Sequence, residues 1–247
     1  MITIKTAEEI ELMRRAGKIV ASLLKGIGRK VSPGITTVAL ENYALAIIEE
    51  CGAVSAFKGY EGYPANICTS VNEEVVHAIP SGRVLKEGDI VSIDVGVKYQ
   101  GYFADAAITC LVGRVDRRIV DLVRVTKKAL AKAIDKARPG NFVSDISNAV
   151  ESFVASRGFS VVREFVGHGI GKKLHEDPQI PNFGKPHMGE QLKAGMVLAI
   201  EPMVNMGAHP VEILSDGWTA VTKDRFPSAH FEHCVLITER GNAILTR

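Results

Sequence analysis

One plan of helices and turns occurs twice along the chain, about 106 residues apart, and it limits the possible folds more than any other feature. A helix pattern beginning by Ala7 ends at Ser32-Pro33-Gly34, and a second, following Thr37, stops at Cys51-Gly52. A later helix pattern, about 116–138, ends at Pro139-Gly140, and the next, about 144–156, is closed by Arg157-Gly158. Pro33 to Pro139 and Gly52 to Gly158 are both 106 residues, and Asp94 to Glu201, each an acid in an apolar strand pattern, is 107. Pro-Gly punctuation is common, but coincident features at nearly one offset point to a duplication. Each half then reads helix, Pro-Gly, helix, strands bearing carboxylates. Two such halves related by a pseudo-twofold face their sheets toward each other, and a site at the junction draws on both. The period is too long for a solenoid. The expectation is one catalytic domain over 1–247, with halves at about 1–115 and 116–247.

The local signals agree with this plan. Thr6 and Glu9 form a capping box ahead of Ile10, Met13, Ile19, Val20, Leu23, Leu24 and Ile27 at helical spacing. Ile119, Leu122, Val123, Leu130 and Ile134 give the third helix its apolar side. Residues Asp89 to Val95 alternate, Gly96 to Gly101 supply turn residues, and Tyr102 to Cys110 is extended. A turn near Tyr99-Gln100 sets Asp94 directly opposite Asp105, with Cβ atoms roughly 4.5–5.5 Å apart.

Five ionisable side chains lie in apolar or glycine-rich runs: Asp94, Asp105, His168, Glu201 and Glu232, in VSIDVGV, YFADAAIT, VGHGIG, VLAIEPMV and AHFEHCVLI. Singly, each has an ordinary reading as a strand-end acid, a solvated edge residue or a satisfied core histidine. Together they form a set that repels itself, because acids are almost never fully buried unless paired or metal-bound. Two divalent cations balance four carboxylates. One imidazole among carboxylates favours Mn, Fe(II) or Co over a thiolate-type zinc site, and a two-metal centre hydrolyses an amide or a phosphate ester. A serine triad is not supported, since no G-x-S-x-G elbow is present. The Gly167-His168-Gly169-Ile170-Gly171 run lacks the Lys-Ser/Thr of a phosphate loop.

The totals exclude other classes. A net charge of +2 is too small to argue for nucleic acid as the main partner. No run of 18 apolar residues spans a membrane, and MITIKTAEEIELMRRAGK has no signal-peptide core. Cys51, Cys68, Cys110 and Cys234 are scattered, as expected of reduced thiols in a cytoplasmic protein.

The motifs, taken in order, resemble the type I methionine aminopeptidases over nearly the whole chain. They are Tyr60-Glu61-Gly62-Tyr63-Pro64, Asn72-Glu73-Glu74-Val75-Val76-His77-Ala78-Ile79-Pro80, Gly88 to Gly96, Gly167 to Gly171, His175-Glu176-Asp177-Pro178, Ile200-Glu201-Pro202, Asp216-Gly217-Trp218-Thr219 and His230-Phe231-Glu232-His233. The resemblance implies the α+β pita-bread fold, a curved antiparallel sheet covered by helices. It implies two divalent metals (Co, Mn or Fe(II), with Zn a further choice) on Asp94, Asp105, His168, Glu201 and Glu232. Asp105 and Glu232 bridge the metals, and Glu201 relays a proton. His77 meets the scissile amide nitrogen and His175 the carbonyl. Tyr60, Tyr63, Cys68, Trp218, Phe57 and Leu174 line a methionine pocket, and Ala78 departs from the glycine of many relatives. The implied substrate is the initiator methionine of nascent chains with a small second residue. A transient ribosome contact through surface basics such as Lys172-Lys173 and a monomeric, cytoplasmic state are further expectations. The alternatives are a proline-cleaving peptidase or a non-catalytic binding protein on this fold, and a two-metal phosphoesterase.

Overall fold

The computed structural model describes residues 2–247. The first half contains helices α1 (Ala7–Gly28) and α2 (Thr37–Glu50), then strands β1 (Val54–Ser55), β2 (Cys68–Val71), β3 (Glu74–Val76), β4 (Ile90–Tyr99) and β5 (Tyr102–Leu111). The second begins with α3 (Arg117–Lys136) and α4 (Val143–Ala155), followed by β6 (Ser160–Val161), β7 (Gly167–Gly169), β8 (Glu176–Ile180), β9 (Val197–Ile200) and β10 (Met203–Asn205). It closes with β11 (Val211–Ile213), β12 (Ala220–Thr222), β13 (Ser228–His230), β14 (His233–Thr238) and β15 (Gly241–Ile244). Every pairing between these strands is antiparallel. No helix among the described residues is long and apolar enough to cross a membrane.

The helix starts follow from their caps. Thr6 Oγ1 accepts the Glu9 N–H at 3.3 Å, and Glu9 Oε2 accepts the Thr6 N–H at 2.9 Å, which satisfies two amides that lack helical partners. Met13, Val20, Leu23, Leu24 and Ile27 of α1 are buried against β4, β5 and α2. Leu122, Leu130 and Ile134 of α3 are buried with α4 and with Leu198, Ile200, Val235 and Ile237 of the second sheet. Each helix pair thus covers the outer face of one sheet, at roughly 1.5–3 kcal/mol for each large apolar side chain buried.

One pattern of backbone hydrogen bonds occurs around both Gly34 and Gly140. Gly34 N–H donates to Leu85 O, and Gly140 N–H to Leu192 O. Leu85 N–H returns to Ile35 O, and Leu192 N–H to Asn141 O. Lone bridges join Thr36 to Val84 and Phe142 to Gln191. Gly34 and Gly140, at φ 94° and 90°, make the same left-handed turn before the second helix of each half.

One sequence expectation needs correction. The β4–β5 hairpin turns one residue later than expected, on Gln100-Gly101, where both φ are positive (48° and 89°), as in a two-residue type I′ turn. Asp105 therefore faces Gly96, and Asp94 faces Ala107. Moving the turn centre by one residue shifts the pairing by two, a full pleat period, so both aspartates keep one face as diagonal neighbours.

Nothing lies within 4 Å of where a Cβ would sit on Gly34 or Gly140, so alanine there costs backbone strain alone. G34A and G140A should each lose about 1–2 kcal/mol in urea unfolding, at an unchanged m-value. A neutral result for either would show that its left-handed turn is not required.

Candidate metal centre

Strand β5 meets β13 and the start of β14, from two other sheets, and the contacts between them form the floor of one site. Glu232 N–H donates to Ala107 O at 3.0 Å. Thr109 Oγ1 accepts the His230 N–H at 2.9 Å and donates to His230 O at 2.8 Å. Cys234 Sγ lies 3.1 Å from Asp105 Oδ1 and accepts the Asp105 N–H at 3.4 Å. These bonds bring β5, with Asp105, against the start of β14 and the preceding Glu232. Asp94 comes from β4, His168 from β7, and Glu201 follows β9.

All thirteen residues expected from the sequence line one cavity of about 110 Å³: Phe57, Tyr60, Tyr63, Cys68, His77, Asp94, Asp105, His168, Leu174, His175, Glu201, Trp218 and Glu232. Its apolar end is set by local structure. Cys68 pairs with Asp94 across β2 and β4, which puts its thiol on the same face. Tyr63 donates its hydroxyl to Ala78 O at 3.1 Å and stacks edge-on against Trp218 at 5.1 Å. Asp216 Oδ1 accepts the N–H groups of Trp218 and Thr219 at 2.8 and 2.9 Å, fixing the turn that presents the indole. Gly96 leaves room for Phe57, whose ring lies 2.5 Å from where a Cβ would be.

At the polar end, ligand atoms of Asp105, His168 and Glu232 lie within 4.8 Å of one another, and all three residues are buried. His168 Nδ1 is 2.9 Å from Gly169 O. A carbonyl can only accept, so Nδ1 carries the proton and Nε2 presents a lone pair. Burial drives the His168 pKa down to about 4, so the ring is neutral at pH 7. Its Nε2 nevertheless lies 3.5 Å from Glu201 Oε1 and 3.6 Å from Asp105 Oδ2. Lone pairs thus converge with no donor between them, and a cation satisfies all of them. Asp94 Oδ1 is likewise buried without a hydrogen-bond partner. The oxygen-rich donor set with one imidazole fits a divalent metal.

The electrostatics point the same way. Burial, with Asp105 as neighbour, pushes Asp94, Glu201 and Glu232 far above the usual carboxylate range, and burial lifts Asp105 to about 6. His77 falls to about 4 through burial and the nearby His175. Its backbone is left-handed, φ 62°, an unusual conformation for a non-glycine residue, and its ring meets Phe165 edge-on at 5.3 Å. His175 stands at the cavity mouth, with Nδ1 2.8 Å from the Tyr60 hydroxyl and its ring edge-on to His168 at 4.3 Å. A wider outer cleft of about 870 Å³ shares His77, His168, His175 and Glu201 with the inner cavity and opens outward past Phe165 and Met203.

The sequence reading missed two residues here. Glu61 also lines the cavity. His230 is fully buried, with an unpartnered Nε2 3.7 Å from Glu201 Oε2. The signal for His230 was present: it sits two residues before Glu232 in a run that otherwise reads as core.

The sequence matches metallopeptidase family M24 over residues 11–239. The chain belongs to that family. Within this metallopeptidase family it groups with the methionine aminopeptidases. It is 51% identical to methionine aminopeptidase 1 of Bacillus subtilis over all of both chains. It superposes on the crystal structure of the Thermotoga maritima methionine aminopeptidase with a TM-score of 0.99, at 52% identity and full coverage of both. The Pyrococcus furiosus prolidase shares the pita-bread fold, with a TM-score of 0.80 at 24% identity, over 99% of this chain and 65% of that one.

The shifts fix a pH signature for the metal-free metallopeptidase. Groups with raised carboxyl pKa values bind more protons folded than unfolded, so they lower stability as pH rises above the ordinary carboxylate range. His77, His168, His230 and His233, lowered to between about 3 and 4 by burial, oppose this only up to their ordinary value of 6.5. Above that pH the carboxylate slope remains, joined by the thiols of Cys68, Cys110 and Cys234, whose pKa values burial also raises. The metal-free protein should therefore melt at lower temperature at pH 8.5 than at pH 7, and added Mn(II) should raise Tm more at pH 8.5. Equal metal-induced shifts at both pH values would contradict the buried-charge account.

Proposed function

We propose that the chain removes the N-terminal methionine from polypeptides whose second residue is small. The observation that carries this reading is the convergence of unprotonated His168 Nε2 with Asp105 and Glu201, beside an apolar cavity closed by Phe57, Tyr63, Cys68, Leu174 and Trp218. Asp94, Asp105, His168, Glu201 and Glu232 would hold two divalent metals, with Asp105 and Glu232 shared between them and Mn, Fe(II), Co or Zn as the ions. When bound, such ions polarise the scissile carbonyl and lower the pKa of water.

The other steps belong to side chains. The cavity takes the methionine side chain, with Tyr60, Tyr63, Trp218 and Phe57 offering ring faces and edges to a polarizable thioether. Glu201 moves the proton of the attacking water toward the leaving nitrogen. His77, neutral and buried, accepts a hydrogen bond from the scissile amide N–H. His175, at the mouth, donates to the carbonyl oxygen as it gains charge. Phe165 and Met203, in the outer cleft next to the shared residues, restrict the second side chain by steric exclusion, which discriminates more sharply than apolar affinity. The ligands come from both halves, about 1–115 and 116–247, so the two act as one catalytic domain. The substrate is the nascent chain, met in the cytoplasm by a monomer that makes at most a transient ribosome contact.

A two-metal phosphoesterase fits less well, because no Lys or Arg lines the inner cavity, where a phosphate site uses them. The assay is peptide cleavage after metal stripping, on Met-Ala-Ser and Met-Lys-Ser, with Mn, Fe(II), Co and Zn restored separately. Methionine should be released from Met-Ala-Ser only. No cleavage with any metal by the folded protein, or phosphate release from simple esters, would overturn the assignment. H77A and H175A should each lower kcat by about 10²–10⁴-fold while retaining metal binding by calorimetry. Wild-type kcat in either variant would remove that histidine from the mechanism.

A further inference from the structure

His175 is exposed, and packing holds its ring only through edge-on contacts with His168 at 4.3 Å and Tyr60 at 5.1 Å. Its backbone belongs to the irregular connection between β7 and β8, where Lys172 and Lys173 are also exposed. Immediately after it, Glu176 enters a buried ion pair with Lys5, at 2.7 Å, with side-chain exposures of only 9% and 5%. The partners are 171 residues apart in the chain.

A buried ion pair is costly unless its remaining hydrogen-bonding positions are filled, and here they are. Lys5 Nζ also donates to Thr3 Oγ1 and, at 3.4 Å, to Thr3 O. Thr3 Oγ1 donates to Glu176 Oε2 at 2.6 Å, and Lys173 N–H donates to Glu176 Oε1 at 3.2 Å. Lys5 is itself anchored by its N–H to Gly195 O at 2.9 Å. Gly171 supplies the space: a Cβ there would lie 2.7 Å from both Lys5 Cε and Glu176 Oε1. The segment Thr3–Lys5 therefore packs against the His175 connection at Gly171 and is bonded to it at Glu176. Thr3, Ile4, Lys5 and Glu176 also line the outer cleft that leads to the reacting residues.

We infer that Lys5 and Glu176 are positioning residues for His175: the N-terminal strap fixes the backbone on which the exposed imidazole is presented to the scissile carbonyl. This rests on the role proposed above for His175. Three constraints then define the ring: the Tyr60 hydroxyl at Nδ1, the edge of His168 and the clamp at the adjacent residue. Lys5 and Glu176 line the outer cleft and not the inner cavity that takes the methionine, so the clamp acts on turnover and leaves methionine binding alone.

The test uses the full chain loaded with Mn(II) and compares wild type, K5M, K5R and K5M/E176Q on Met-Ala-Ser. K5M should lower kcat by roughly ten- to hundred-fold, the cost of misplacing a reacting group by about 1 Å. KM and Mn(II) affinity by calorimetry should stay near wild type, and K5R should recover most of the rate. K5M strands a buried carboxylate and could unfold. K5M/E176Q removes that charge while keeping an acceptor for Lys173 N–H, and should show the same kcat loss in a folded protein. Imidazole NMR on the protein loaded with diamagnetic Zn(II) reads the clamp without turnover, since the His175 signals should shift and broaden in K5M and not in K5R. Wild-type kcat in the folded double variant, a parallel loss of metal affinity, or unmoved His175 signals would each overturn the clamp. An inactive wild type whose His175 signals still move in K5M overturns the peptidase reading and leaves the clamp standing.

Discussion

Four carboxylates share a buried space with an imidazole that offers them a lone pair, and the rest of the structure is arranged around that repulsion. His168 Nε2, which carries no proton of its own, faces Glu201 and Asp105 at 3.5 and 3.6 Å. Such an arrangement is unfavourable in isolation and becomes favourable when a divalent cation fills it. Folding must supply enough burial elsewhere to hold the set together. The two apolar layers under α1/α2 and α3/α4 do so, and both reach across the seam, through Ile170, Val197 and Leu236 in the first and Ile90 in the second.

The same constraint explains the seam between the halves. Ligands from β4 and β5 must be held against ligands from β7, β9 and the approach to β14, and direct bonds fix that spacing. Thr109 grips the His230 backbone from both sides, and Cys234 touches Asp105. Glu232 hangs from Ala107 O. None of these contacts is local in sequence, and each ends within two residues of an expected ligand. Chemical roles separate along the cavity accordingly: lone pairs at the seam, neutral histidines at its mouth, aromatic and aliphatic walls at its closed end.

Local signals were readable because they are set by the nearest few residues. The Thr6–Glu9 capping box, the Pro-Gly stops and the paired left-handed glycines 34 and 140 follow from backbone sterics and unsatisfied amides. The hairpin register was harder. Its turn could centre on Tyr99-Gln100 or on Gln100-Gly101, and only the second puts glycine where positive φ is needed at the second turn position. Both choices leave the aspartates on one face, so the site was recoverable although the pairing was misplaced. His230 escaped notice because a histidine in an apolar run reads as core until its Nε2 is seen beside Glu201 without a partner.

The sequence by itself determined the duplicated plan, the helices and their stops, and the set of ionisable groups too costly to bury without a counter-charge, because periodicity, capping and charge are properties of the chain. The tertiary structure alone decided which ring nitrogen of His168 faces the acids, since that depends on Gly169 O. It also decided that one cavity gathers thirteen residues spread from Phe57 to Glu232, and that Lys5 pairs with Glu176 beneath His175. Those outcomes depend on contacts between residues far apart in the chain, formed only when the two sheets pack and exclude water between them.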